Sequence, residues 1–333
     1  MLYKTTALAK DATKNRAGAG LNGAPSPLAQ LHGVLVLNKP SGPTSACCLT
    51  AVKRLGQKKI GHAGTLDPLA SGVLLVLLGQ ATKLSSHLLV GGHKVYSGRL
   101  RLGQITDTWD AQGTVIAESP WERTRPEDVR REITRWGQLR EQLVPPYSAA
   151  KCDGRPLYRL AREGRNVPER IKHIQISQAD TLDVSLPFVH FRVSCGSGTY
   201  IRSLAHSLGM RIGCGAVLTE LVREYSFPFG LDAACDLDDI TANIALLPEV
   251  VRPIAEALPH WPRVELTPDQ ALRVRNGMSV PDDPFTISRQ RQKGAEHAGG
   301  CALLLFQGEV IALARREDGP EQSGLRVLRG LWN

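Results

Sequence analysis

The string Gly61-His62-Ala63-Gly64-Thr65-Leu66-Asp67-Pro68-Leu69-Ala70-Ser71-Gly72-Val73-Leu74 constrains this chain more than any other. It sets a single carboxylate, Asp67, in a glycine-rich, largely apolar loop that leads into the run Val73-Leu74-Leu75-Val76-Leu77-Leu78. Pro68 removes a backbone donor and biases the residue before it towards extended backbone, so no helix passes through this point and Asp67 sits on a bend. Gly61, Gly64 and Gly72 are expected to turn the loop tightly and to let a bulky ligand approach its backbone. A carboxylate held beside apolar walls serves as nucleophile, general base or metal ligand, whereas an Asp-Pro pair by itself reads as a turn former.

Charge narrows the partner such a loop would serve. The net charge of +9 over 333 residues suits an anionic partner such as RNA, although many basic proteins bind no nucleic acid. A chain of this length, 42% hydrophobic and 22% charged, is expected to be globular and to form two domains rather than one. Seven cysteines without a C-x-x-C pair give neither zinc spacing nor a disulfide framework, as expected for reduced thiols in the cytoplasm. No apolar run reaches the roughly twenty residues of a membrane span. The first thirty residues, rich in Ala, Gly, Lys and Asn, lack hydrophobic periodicity and are expected to be disordered. A transit peptide or an over-extended translation start would share that composition.

From Leu31 the pattern becomes regular. Gly33-Val34-Leu35-Val36-Leu37-Asn38 reads as a buried strand, and Lys39 to Ser45 as a turn ending in a helix N-cap, with the helix running to about Gly56. Beyond the Asp67 loop, Gly79 to Leu84 carries a strand end into a helix. Lys94 to Gly103 then alternates as a strand containing Tyr96, followed by a turn from Asp107 to Gly113. The carboxylates of that turn, Asp107 and Asp110, read as turn chemistry, and no metal is assigned to them. Residues 126–136 form an amphipathic helix on Val129, Ile133 and Trp136. The basic residues Lys151, Arg155, Arg159, Arg162 and Arg165 recur around two tyrosines, which suits an RNA-facing strip and equally a solvated helix surface. Two strand-like runs over 174–195 end in a glycine turn that opens a helix with Ile201, Leu204, Leu208 and Ile212 on one face. Tyr200 and Arg202 lie in its first turn, off that face. After Pro253 come a capped helix over 266–277, a polar loop over about 281–300, and strands at Cys301–Phe306 and Val310–Ala314.

Three of these strings together resemble the TruB family of tRNA pseudouridine synthases: the Asp67 loop, the Tyr96 strand, and Gly198-Thr199-Tyr200-Ile201-Arg202. They fall in the family's order, and the resemblance covers roughly residues 31–230. It implies an α+β fold: a mixed, mainly antiparallel sheet of the pseudouridine synthase type with flanking helices, and a small β-rich, PUA-like C-terminal domain. The expected division is an extension over 1–30, a catalytic domain over 31–255 and the small domain over 256–333. The resemblance also implies the chemistry, which is isomerisation of uridine 55 in the T arm of tRNA with the base flipped out of its stack. Asp67 would be the nucleophile and Arg202 the cation that holds it ionised. Tyr96 would stack on the target base, with Tyr200 and Leu221 lining the pocket and His62 filling the space the base leaves. Lys39-Pro40 would pack beneath the catalytic loop. A monomer using neither cofactor nor metal is expected.

Two other classes compete. A retaining glycosidase also attacks a sugar carbon with a carboxylate, but it needs a second carboxyl group, and none lies in the matching strings. A non-catalytic tRNA-binding and folding module would need the basic surface and not the Asp67, Tyr96 and Arg202 set.

Overall fold

The computed structural model describes residues 29–89, 92–281, 300–318 and 323–332. Most of the extension expected over 1–30, up to residue 28, lies outside the described residues, as does the polar loop between residues 282 and 299. The architecture is α+β. A ten-stranded sheet is built on seven principal strands: β1 (Gly33–Lys39), β3 (Ala70–Leu78), β4 (His93–Leu102), β5 (Ile176–Ser185), β6 (Phe188–Gly196), β7 (Ala216–Ser226) and β8 (Cys235–Asp236). Their spatial order is β5-β6-β4-β7-β3-β1-β8, and the short β2 (Ile60–Ala63) pairs with β3. The sheet is mixed but mainly antiparallel, with β7 parallel to β3 and β8 parallel to β1. Helices α1 (Ser45–Arg54), α2 (Pro126–Arg135) and α3 (Ile201–Ile212) flank it.

The centre of this sheet explains the apolar run that follows Asp67. Leu74, Val76 and Leu78 enter the main core with Leu35, Leu37 and Val52, while Val73, Leu75 and Leu77 enter a second cluster with Val34, Leu258, Trp261, Leu303 and Leu313. A strand covered on both faces reads as continuous hydrophobic sequence instead of alternating. The second cover comes from the C-terminal part of the chain. There a five-stranded sheet runs Arg263–Glu265, Cys301–Phe306, Glu309–Asp318, Ser323–Gly330, Val280–Pro281. This is the small β-rich unit expected of a PUA-like domain, with three strands more than the sequence suggested, at Arg263–Glu265, Val280–Pro281 and Ser323–Gly330. Its helix Pro268–Arg275 carries a capping box in which Thr267 and Gln270 exchange side-chain and backbone hydrogen bonds. Among the described residues no helix is long and apolar enough to cross a membrane.

The loop that bears Asp67 is shorter than the glycines suggested. Gly61 lies within β2 and Gly72 within β3, which leaves residues 64–69 as the turn between them. Gly64, at φ +86°, makes the bend. Gly72, at φ +99°, serves a different need, because it stands opposite Arg223 where β3 and β7 run side by side and a Cβ there would enter the backbone of Arg223. Gly72→Ala is therefore expected to lower stability by more than about 1 kcal/mol, since both the left-handed backbone and the strand approach exclude a side chain. Urea unfolding of the variant against wild type checks this; an unchanged midpoint would show that the strands can separate without loss.

Candidate active site

Asp67 is held from one side by the start of the chain. The Nζ of Lys39, fully buried, donates to the carbonyls of Ala70 (2.7 Å), Pro40 (2.8 Å) and Pro68 (3.4 Å). The backbone N–H of Gly42 donates to Pro68 O at 2.8 Å, and Ser41 Oγ to Leu69 O at 2.8 Å. Ser45, in the first turn of α1, accepts from Leu66 N at 3.0 Å and donates to Leu66 O at 3.1 Å. Thr44 caps the same helix by accepting from Cys47 N at 3.1 Å. Lys39-Pro40 thus packs beneath the loop, and a buried ammonium satisfied by carbonyls ties its own turn to the C-terminal end of the bend.

Arg202 meets the loop from the other side. Its Nε donates to Asp67 Oδ2 at 2.8 Å and its Nη2 to Asp67 Oδ1 at 3.0 Å, a bidentate fork. Two further donors are used as well: Nη1 reaches Thr108 O at 2.9 Å and Nη2 also reaches Tyr147 O at 3.0 Å. The Arg202 side chain is 5% exposed and that of Asp67 36%, so the cation is walled in and the carboxylate faces outward. The helix start that carries Arg202 is itself anchored. Gln142 accepts from Tyr200 N at 2.6 Å and donates to Tyr200 O at 3.2 Å, and Ser203 Oγ donates to Leu143 O at 2.6 Å. Helix α3 ends at Gly213, in the left-handed conformation at φ +94°.

A cleft of about 220 Å³ opens at this fork, lined by residues that include Asp67, Tyr96, Tyr200, Arg202 and Leu221. Five of the six candidate residues therefore converge on one space. His62 does not line it; it lies half-buried on β2, opposite Val76, with no partner for Nδ1 among the described residues. Burial, and then the charge of Arg223, lower its pKa, so it is neutral at pH 7. Tyr96, 6% exposed, has its phenol pKa raised by burial against the opposing pull of Arg223, which keeps the hydroxyl protonated at pH 7. Burial likewise raises the pKa of Tyr200.

Asp110 fulfils the turn role, accepting from Thr108 Oγ1 at 2.7 Å and Gln112 N at 3.1 Å, and Asp107 accepts from Thr114 N at 2.8 Å. Asp110 also lies 3.6 Å from Arg202 Nε, a contact the turn pattern does not announce. Burial raises its pKa, and it is not among the residues lining the cleft. Asp67 is the only carboxylate on that lining among the described residues. Two cations of the cleft, Lys94 and Arg223, were assigned no role from the sequence. Both look like ordinary strand charges, but they are 6% and 1% exposed.

The fold recurs in solved structures: one chain of a Cbf5-Nop10-Gar1 complex aligns with a TM-score of 0.63 at 24% identity, over 90% of this chain and 85% of that one. A chain of an H/ACA RNP bound to a substrate RNA containing 2′-deoxyuridine aligns equally well, with a TM-score of 0.63 at 22% identity over 91% and 86%. A family profile described as "TruB family pseudouridylate synthase (N terminal domain)" matches residues 52–201, across the Asp67 loop, the Tyr96 strand and the start of α3. The profile describes a pseudouridine synthase, an RNA isomerase, and the relatives bear that out. The tRNA pseudouridine synthase B of Oleidesulfovibrio alaskensis is 57% identical over 93% of this chain and 99% of its own length, and that of Geobacter sulfurreducens 40% identical over 90% and 99%. The chain belongs to the TruB family.

If the fork sets both the charge and the aim of Asp67, Arg202→Met is expected to lower the single-turnover rate at saturating RNA by on the order of 100-fold, and by far more than Arg159→Ala. Lysine at 202 should restore part of the rate, because a point charge lacks the planar fork. Unchanged turnover with weaker, less salt-sensitive binding would instead make Arg202 a backbone contact.

Proposed function

We propose that the protein converts uridine 55 in the T arm of tRNA to pseudouridine, with Asp67 as nucleophile. The observation that carries this reading is the bidentate Arg202–Asp67 pair at the mouth of a cleft whose lining, among the described residues, holds no other carboxylate. The reaction conserves atoms: the bond from the ribose to N1 of uracil breaks, the ring turns, a bond to C5 forms, and C5 gives up a proton as N1 gains one. Attack needs an ionised carboxylate, and the guanidinium supplies the opposing charge at hydrogen-bonding distance. A second carboxylic acid, which a retaining glycosidase needs, is missing from the lining, and Asp110 is committed to its own turn.

The target base lies in a folded arm and must leave its stack, at about a few kcal/mol. Tyr96 offers its ring to the flipped base, with Tyr200 and Leu221 as the other walls; because its hydroxyl stays protonated, Tyr96 acts as a stacking and hydrogen-bonding group and not as a resting phenolate base. His62, neutral and half-buried on the strand paired with β3, is the group that the family resemblance assigns to fill the vacated stack. Lys151, Arg155, Arg159, Arg162 and Arg165 are all exposed, and Arg162 lies 5.6 Å from the centre of the Tyr158 ring, which suits them to the backbone of an RNA arm read by shape and charge.

Asp67→Asn keeps the shape and removes the nucleophile. It is expected to abolish pseudouridine formation while tRNA affinity stays within about tenfold of wild type, roughly 1.4 kcal/mol. Residual turnover above a few per cent of wild type would remove Asp67 from the role. Tight binding of tRNA by wild type with no pseudouridine formed would favour a protein that folds tRNA by binding alone.

A further inference from the structure

The reading above leaves two buried cations of the same cleft without work. Lys94 stands on β4 two residues before Tyr96 and so on the same face of the strand. Its Nζ donates to Ser197 Oγ at 2.7 Å, a single hydroxyl partner for a group with three protons. Arg223 directs Nε to Val73 O at 2.6 Å and Nη2 to Gly64 O at 3.1 Å, both of them backbone carbonyls. Neither forms an ion pair with a carboxylate among the described residues. A Cβ on Gly64 would lie 3.7 Å from Lys94 Nζ and 3.6 Å from Arg223 Nη1, so the two charges flank the hollow that the missing side chain leaves at the head of the Asp67 loop. Lys172, exposed at the rim, has its Nζ 5.7 Å from the centre of the Tyr200 ring and lies over Gly198, which is in the left-handed conformation at φ +88°.

The cleft is therefore electrically incomplete. Its lining carries the cations Lys94, Arg202 and Arg223 against one carboxylate, Asp67, and both oxygens of that carboxylate are already held by Arg202. Keeping an ammonium out of water is unfavourable unless an anion or a full set of acceptors meets it; Lys39 has three carbonyls, whereas Lys94 has one hydroxyl. Burial, reinforced by Arg223, pushes the pKa of Lys94 down to about 8.

We propose that Lys94 and Arg223, with Lys172 at the rim, form a subsite for one phosphodiester of the RNA, the linkage that adjoins the base entering the cleft. This rests on the reading of the cleft as a uridine pocket. The geometry suits it: Tyr96 faces the base from the same side of the same strand on which Lys94 faces the hollow, so base and adjoining phosphate are gripped by neighbouring side chains. Lys94 provides a compact point charge with protons left to donate, and Gly64 leaves room for the oxygens.

The test combines a protein change with an RNA change. Lys94→Met keeps the stem and removes the charge; binding of an unmodified tRNA transcript across several salt concentrations should weaken about tenfold at low salt, and the slope of log Kd against log salt should fall by about 0.7–0.9. Lys94→Arg should keep the wild-type slope. A transcript carrying a neutral methylphosphonate at the linkage 5′ or 3′ of the target uridine should bind wild type at least as weakly as Lys94→Met binds the natural RNA, and should lose nothing further with the variant. An unchanged salt slope in Lys94→Met, or a full further loss with both neutral linkages, overturns the subsite. The methylphosphonate arm on wild type decides the matter even if the variant folds poorly. Pseudouridine formation by wild type in the same mixtures tests the functional reading separately, because binding slopes do not depend on turnover.

Discussion

Two parallel hydrogen bonds from a guanidinium fix a carboxylate in plane and angle as well as in charge. In this chain the partners of that fork, Asp67 and Arg202, are 135 positions apart in sequence, and much of the fold serves to bring them together. Each arrives already rigid. Asp67 stands on a six-residue turn between two paired strands, nailed down by Lys39 and Ser45, and Arg202 stands at the start of a helix whose first turn is bonded to the Glu141–Leu143 strand. A reacting group set this way needs little reorganisation when substrate arrives, which is where orientation lowers a barrier most.

The two halves of the molecule divide the labour. Every residue lining the cleft falls between Gly64 and Arg223, so the C-terminal five-stranded unit contributes none of them. It covers the back of β3 through Leu303, Leu305 and Leu313, giving the strand behind Asp67 a dry environment on both faces. A polar cleft is thus mounted on an apolar, closely packed strand, and the excess of cations falls on the open side. The arrangement is what a polyanionic substrate with one uncharged base to deliver would require.

Some of this was legible in the sequence because it was local. A lone aspartate before proline, an apolar run after it, a tyrosine in an alternating strand and an arginine at a glycine-opened helix start are short-range patterns, and the family resemblance tied them together. The capped helix at Thr267 was read from spacing alone. What sequence could not show depends on distant packing. Arg202 lies off the apolar face of its helix, as the periodicity indicated, yet it is buried because the turn around Thr108 and the carbonyl of Tyr147 close over it. Lys94 and Arg223 carried no assigned role in the local pattern; their burial follows from the parallel approach of β7 to β3 at Gly72 and from the bend at Gly64. Gly61 and Gly72 were read as loop residues and lie in strands, since a glycine admits close strand approach as readily as a turn.

The central claim is that the Asp67–Arg202 cleft performs base isomerisation at one uridine of a folded RNA arm. The most direct measurement is to incubate the protein with an unmodified tRNA transcript and map pseudouridine at nucleotide resolution. The account predicts complete conversion of uridine 55 with the other uridines unchanged and no added cofactor. Tight binding of the transcript with every uridine left unmodified would contradict it.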